Sequence, residues 1–130
     1  MAGQAPVRSS APMVRSLLRV VVGFLFFWHG FQKAVAFYNG AHLSYLTYTA
    51  CFLELVGGFL IFAGLFTSPT AIVLSLEMAI SYYLQHFPKG RLPINNGGEL
   101  EVLYCFIFLY FFVAGAGPVS VDSVFRKKSG

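Results

Sequence analysis

The chain has 130 residues, 57% of them hydrophobic and 18% aromatic, with only 11% charged. Its mean hydropathy is +0.70, and a soluble domain of this length cannot hide that much apolar surface, so lipid must be part of its solvent. The net charge is +4, but the basic residues lie at the ends of apolar runs, where topology and anionic headgroups account for them and no nucleic-acid partner is needed.

A helical span takes about 20 predominantly apolar residues. Four windows meet that requirement: residues 17–37, 46–66, 70–86 and 98–117. They predict an all-α, integral membrane four-helix bundle over residues 15–122, with no room for a second domain.

Residues 1–14 are rich in Gly, Pro, Ser and Gln without periodicity and read as a flexible N-terminal arm. Arg8, Arg15 and Arg19 precede an apolar stretch, and Ala34-Val35-Ala36 imitates a signal-peptidase site. His29 and Lys33 stand between the two, a poor cleavage region, so an uncleaved first span is the expectation. On that span Arg19, Val22, Phe26, His29 and Lys33 share one stripe. Arg19, nearest the membrane surface, reads as a snorkelling residue.

Tyr38-Asn39-Gly40-Ala41-His42 supplies turn chemistry before the second span. There Glu54 shares a face with Ala50, Cys51, Gly57, Gly58 and Ile61, small residues that mark close helix packing in membranes. At Thr67-Ser68-Pro69, Ser68 is the expected N-cap and Pro69 the first helical residue of the third span. Glu77 follows, with Ser81 one turn on. In residues 87–97, Pro88 and Pro93 argue against helix while Lys89 and Arg91 make the connection basic. Asn95-Asn96-Gly97-Gly98-Glu99 predicts Asn96 as the next N-cap, with Glu99 at the third helical position. Glu101 shares a face with Tyr104 and Cys105. Pro118 is expected to end the fourth span, leaving residues 123–130 as a basic tail around Arg126-Lys127-Lys128.

An even number of spans puts both termini on one side with Arg8, Arg15, Arg19, Arg126, Lys127 and Lys128; the other side has Lys33, Lys89 and Arg91. The positive-inside rule then predicts both termini in the cytoplasm.

His29, Lys33, Glu54, Glu77 and Glu101 interrupt the apolar runs. Membrane segments exclude such groups unless they face the interior, pair with one another or serve an ion, proton or substrate. Counting 1.5 Å of rise per residue places His29 and Glu54 at one level, with Glu77 roughly 6 Å deeper. Lys33, His86, Glu99 and Glu101 lie nearer the outer surface, which predicts a polar cavity open to the outside. The pairs His29–Glu54 and Lys33–Glu101 read equally as helix-orienting contacts and as functional groups. Glu99 reads as a helix cap before a ligand, and His86 as either solvated or functional.

Cys51 and Cys105 lie alone in separate spans and read as packing residues. The depths of His29 and His86 differ by about 7 Å on the same count, which disfavours a shared haem iron. Metal-ligand spacings, phosphate loops and nucleophile motifs are absent. No intrinsic cofactor is predicted.

The pattern resembles the DoxX/DoxD-like family of small four-helix bacterial membrane proteins. Its matching features are Arg19 and Gly23, His29-Gly30 with Lys33, Glu54 with Gly57-Gly58, Gly64-Leu65 and Glu77-Met78-Ala79. They continue as Asn95-Asn96-Gly97-Gly98-Glu99, Tyr104, Gly115-Ala116-Gly117-Pro118 and Ser120 with Asp122. The resemblance implies a multi-pass protein of the bacterial inner membrane, and founding members are described as subunits of quinone-linked oxidoreductases. It carries His29, Lys33, Glu54, Glu77 and Glu99 over as matched positions without a catalytic assignment. The leading expectation is a membrane subunit of a quinone-linked electron-transfer complex, with a bound quinone or its protons served by His29, Lys33, Glu54, Glu77 and Glu101. Asn96, Glu99 and His86 are the cap or loop candidates, no metal ligands are expected, and redox partner subunits supply the electrons. The alternative is a non-catalytic accessory or scaffold subunit whose polar core only holds its helices together.

Overall fold

The computed structural model describes residues 4–42 and 44–129, with backbone alone for 4–9 and 127–129. Among these residues six α-helices follow in order: α1 (Gln4–Tyr38), α2 (Tyr45–Ala63), α3 (Thr67–Ser81), α4 (Pro93–Asn96), α5 (Glu99–Ala114) and α6 (Val121–Ser129). A π turn, Tyr82–His86, continues α3 into a 3₁₀ turn, Phe87–Lys89. Among the described residues there is no strand. Two segments, Ser10–Tyr38 and Tyr45–Ala63, are long and apolar enough to cross a membrane.

Helix α1 lies along α2 and α3 along α5, whereas α2 and α3 touch more sparsely. Glycines permit the first contact. A Cβ on Gly58 would stand 2.6 Å from the Phe27 backbone nitrogen, and one on Gly30 would stand 2.8 Å from that of Leu55. The expected small-residue packing therefore joins α1 to α2 backbone against backbone. Val22, Phe26, Ile61, Leu74, Met78, Tyr104, Phe108 and Phe111 form the core between the two helix pairs. Phe26 seals it by meeting Tyr104 and Phe108 edge to face, at centroid distances of 5.4 and 4.9 Å. Outward-facing side chains are mostly apolar on all four long helices, among them Phe24, Phe59, Ile80 and Phe106.

Several boundaries differ from those the sequence predicts. The arm expected over residues 1–14 is helical from Gln4 onward, and Pro12 sits inside α1. Helix α3 begins at Thr67 behind Phe66, whose φ is 50°, and Ser68 does not cap it. The N–H groups of Phe66 and of buried Thr67 instead donate to the two carboxylate oxygens of Asp122, at 2.8 and 2.9 Å. A carboxylate held there by a distant helix does what a local cap would do, with favourable charge for the helix dipole. Pro88 and Pro93 do not forbid helical turns in the 87–97 connection, because each stands in a first turn where a missing N–H costs nothing. Helix α5 stops at Gly115 (φ 82°), three residues before Pro118, and the basic tail folds as α6.

Arg19 differs most. It is 2% exposed and does not snorkel. Its guanidinium donates to the carbonyls of Ile61 (2.9 Å), Ala116 (2.6 Å) and Phe62 (3.3 Å). Ile61 and Phe62 belong to the last turn of α2, where Ile61 O also takes the Gly64 N–H at 3.1 Å, a carbonyl oxygen can accept a second bond and the helix dipole favours a cation. Ser16 Oγ accepts from Val119 N–H at 3.2 Å, and Asp122 N–H donates to Gly64 O at 2.9 Å. These bonds tie α1, the α2–α3 turn and the 116–123 segment together at one end of the molecule.

Candidate functional site

The opposite end is built differently. Between α1, α2, α3 and α5 lies a cavity of about 300 Å³, lined by His29, Lys33, Glu54, Glu77, His86, Glu101 and Tyr104 among others. Each polar group arrives from an element the core has already fixed. His29 and Lys33 stand one turn apart on α1 beyond buried Phe26, and Glu54 precedes Gly58, which brings α2 against α1, and Gly57, which packs on Leu74 of α3. Glu77 precedes buried Met78 on α3, and Glu101 lies in the first turn of α5 before buried Tyr104.

The pairing differs from the sequence expectation. Glu54 takes Lys33 as its partner, Nζ to Oε2 at 2.5 Å, and not His29. Lys33 is long enough to reach past a turn of its own helix, and its side chain runs from 34% exposed to a carboxylate that is 5% exposed. His29 stays in the chamber wall with its ring edge-on to Tyr104, centroids 6.2 Å apart. Glu101 pairs with His86, and not with Lys33, through Nε2 to Oε1 at 2.9 Å. His86 is the last residue of the π turn that continues α3, and Glu101 lies in the first turn of α5. The other ring nitrogen of His86 faces Asn96 O at 3.1 Å.

Asn96 is a buried brace and not the N-cap of α5. Its amide donates to Tyr82 Oη at 2.9 Å and Gly90 O at 2.8 Å, and its Oδ1 accepts from Gly98 N–H at 2.9 Å. Gly98 takes the cap position, so Glu99 is the first helical residue, exposed and outside the chamber. Cys51 and Cys105 are free thiols packed against Gly30 O and Ser75.

Three carboxyl oxygens remain. Both of Glu77 and the Oε2 of Glu101 are buried and have no hydrogen-bond partner among the described residues. A buried polar atom without a partner carries a desolvation cost of about 1–3 kcal/mol, so native proteins rarely keep one without a ligand, water or function to meet it. A carboxyl accepts when ionised and donates when protonated. The chamber thus offers imidazole, ammonium and free carboxyl groups around a space large enough for a small-molecule ring. No cluster of three His, Cys, Asp or Glu side chains able to hold a metal ion occurs among the described residues.

The DoxX family profile matches residues 14–87. An uncharacterized protein of Haemophilus influenzae is 42% identical over 126 residues, covering 90% of this chain and 94% of that protein. "Putative oxidoreductase CatD" of Bacillus subtilis is 28% identical over 123 residues, covering 88% and 90% respectively. A second uncharacterized Haemophilus influenzae protein is 30% identical over 74 residues, 57% of this chain and 49% of its own. No solved structure matches the chain.

Proposed function

The chain belongs to the DoxX family of membrane proteins, and from that premise we propose that it is a small multi-pass subunit of a quinone-linked oxidoreductase in a bacterial inner membrane. All four long helices span in this reading, as a bundle with both termini cytoplasmic. It is supported by the apolar outer faces of α3 and α5 as well as of α1 and α2, since soluble monomers rarely expose so large an apolar surface. The chamber then lies toward the outer side.

The observation that carries the functional reading is the set of unengaged carboxyl oxygens of Glu77 and Glu101 inside a chamber that also holds His29 and Lys33. Reduction of a quinone takes two electrons and two protons. His29 and Lys33 can donate hydrogen bonds to a quinone carbonyl, and Glu77 and Glu101 can hand over or receive its protons. The electrons come from a redox partner subunit, because the chain has no cofactor motif of its own. The name of the Bacillus subtilis relative agrees with an oxidoreductase setting. A purely structural polar core accounts for the Lys33–Glu54 and His86–Glu101 pairs but leaves Glu77 unexplained.

Glu77→Gln tests the reading, because it keeps the shape and removes the titratable proton. Binding of ubiquinone-1 to the purified protein in nanodiscs, and quinone-dependent turnover of the native complex, should both fall with normal assembly and thermal stability. Unchanged binding and turnover would refute it.

A further inference from the structure

A second cavity, of about 380 Å³, opens between α2 and α3 on the outer face of the molecule. Its walls are Leu46, Thr49 and Leu53 on α2 and Leu76, Ile80 and Leu84 on α3. Ala50, Glu77, Ser81 and Gln85 line both this groove and the polar chamber. These four side chains are therefore the wall the two spaces share, and Glu77, whose carboxyl oxygens have no hydrogen-bond partner among the described residues, stands in it. The groove also follows the sparsest contact between consecutive long helices, while glycines close the α1–α2 seam backbone to backbone. Another outward apolar pocket, bounded by Phe24, Phe27, Phe59 and Phe62, touches no polar side chain. Of these two outward pockets, only the α2–α3 groove shares a wall with the ionisable chamber.

We propose that the α2–α3 groove is the side opening through which a lipid-soluble quinone reaches the chamber, its apolar tail lying between Thr49 and Ile80 and its ring beyond Glu77. The inference rests on the quinone reading above and adds the path and the subsite. A ligand with a polar ring and one apolar tail matches the two spaces in order: the ring meets Glu77, His29 and Lys33, and the tail stays against Leu53, Leu76 and Leu84. Burying the tail against these side chains supplies affinity in proportion to the apolar area covered. An α2–α3 contact this thin lets the ring pass without breaking the α1–α2 seam.

The test compares two probes on purified protein in nanodiscs: decylubiquinone, which has a tail, and ubiquinone-0, which has none. Ile80→Trp and Thr49→Phe fill the groove from opposite walls without touching the chamber lining. Either should weaken decylubiquinone binding by about tenfold or more, about 1.4 kcal/mol, and leave ubiquinone-0 binding unchanged. Ile80→Cys, which does not fill the groove, gives a second readout: decylubiquinone but not ubiquinone-0 should slow its modification by a maleimide. Equal decylubiquinone affinity in all variants, with no protection of Ile80→Cys, would overturn the groove while the chamber reading stood. Loss of co-purified phospholipid from the filled variants without loss of decylubiquinone affinity would assign the groove to an acyl chain and also overturn it. Wild-type protein that binds neither probe would remove the chamber reading, and the groove would fall with it.

Discussion

Replacing Arg19 by Met should destabilise the protein far more than loss of an interfacial cation would. The methionine keeps most of the apolar stem and removes the guanidinium. Two of its bonds, to Ile61 O at 2.9 Å and Ala116 O at 2.6 Å, are short, and the third, to Phe62 O at 3.3 Å, is weaker. Hydrogen bonds involving a charged group contribute about 1.5–3 kcal/mol each, so the two short ones give roughly 3–6 kcal/mol before any offset. Relief from burying a charge returns part of this, leaving an expected net loss of about 2–4 kcal/mol. Arg19→Lys should fall between, since a single ammonium cannot reproduce a planar fork that serves three carbonyls. The assay is the unfolding free energy in mixed micelles, with limited proteolysis at 115–123 reporting whether that segment detaches first. A surface-type effect, within about 0.5 kcal/mol of wild type, would refute the clamp and restore the snorkelling reading.

Lys33→Met should cost about 3 kcal/mol or more, because it leaves the Glu54 carboxylate buried without its cation. Adding Glu54→Gln should recover most of that loss, and simple additivity in the double-mutant cycle would show that the two do not act as a pair. Gly58→Ala should cost about 1–3 kcal/mol, because the new methyl meets the Phe27 backbone, which cannot rotate away; wild-type stability would mean that α1 and α2 stand further apart. Asp122→Ala should cost about 1–2 kcal/mol by stripping the N–H groups of Phe66 and Thr67 of their acceptor, with Asp122→Asn retaining part of it. Faster amide exchange at the start of α3 is the matching local signal, and unaltered exchange would count against the cap.

The sequence made the long helices legible because apolar length and the three-and-four periodicity are properties of each segment alone. It also exposed His29, Lys33, Glu54, Glu77 and Glu101 of the chamber wall, since each is an ionisable interruption of an apolar run, but gave no signal for Thr47 or Gln85. What stayed illegible depends on the other segments. His29 and Lys33 share a stripe, so periodicity cannot decide which of them takes Glu54; the reach of the lysine does. His86 meets Glu101 from a π turn for which no propensity rule gives a signal. Ser68 has the chemistry of an N-cap, yet Phe66 in a left-handed conformation leaves it inside the helix and hands the task to Asp122, 56 residues away from Phe66. Arg19 looks like a surface cation because its partners are main-chain carbonyls, which carry no sequence signal.

These long-range bonds also bear on why the chamber can exist. A bundle with polar groups at one end would tend to collapse on them, gaining packing and closing the space around Glu77. Here the other end fixes the helices independently: Arg19 joins α1 to α2 and to the segment after α5, and Asp122 joins α6 to the start of α3. With those ends held and the α1–α2 seam set by glycine contacts, the spacing of α3 from α2 is not free to shrink to suit the chamber. Glu77 is thereby kept apart from Lys33, whose ammonium is already engaged with Glu54. The carboxyl group that a collapsing core would have paired stays unpaired, which is the condition a ligand-binding or proton-carrying group requires and a merely structural one does not.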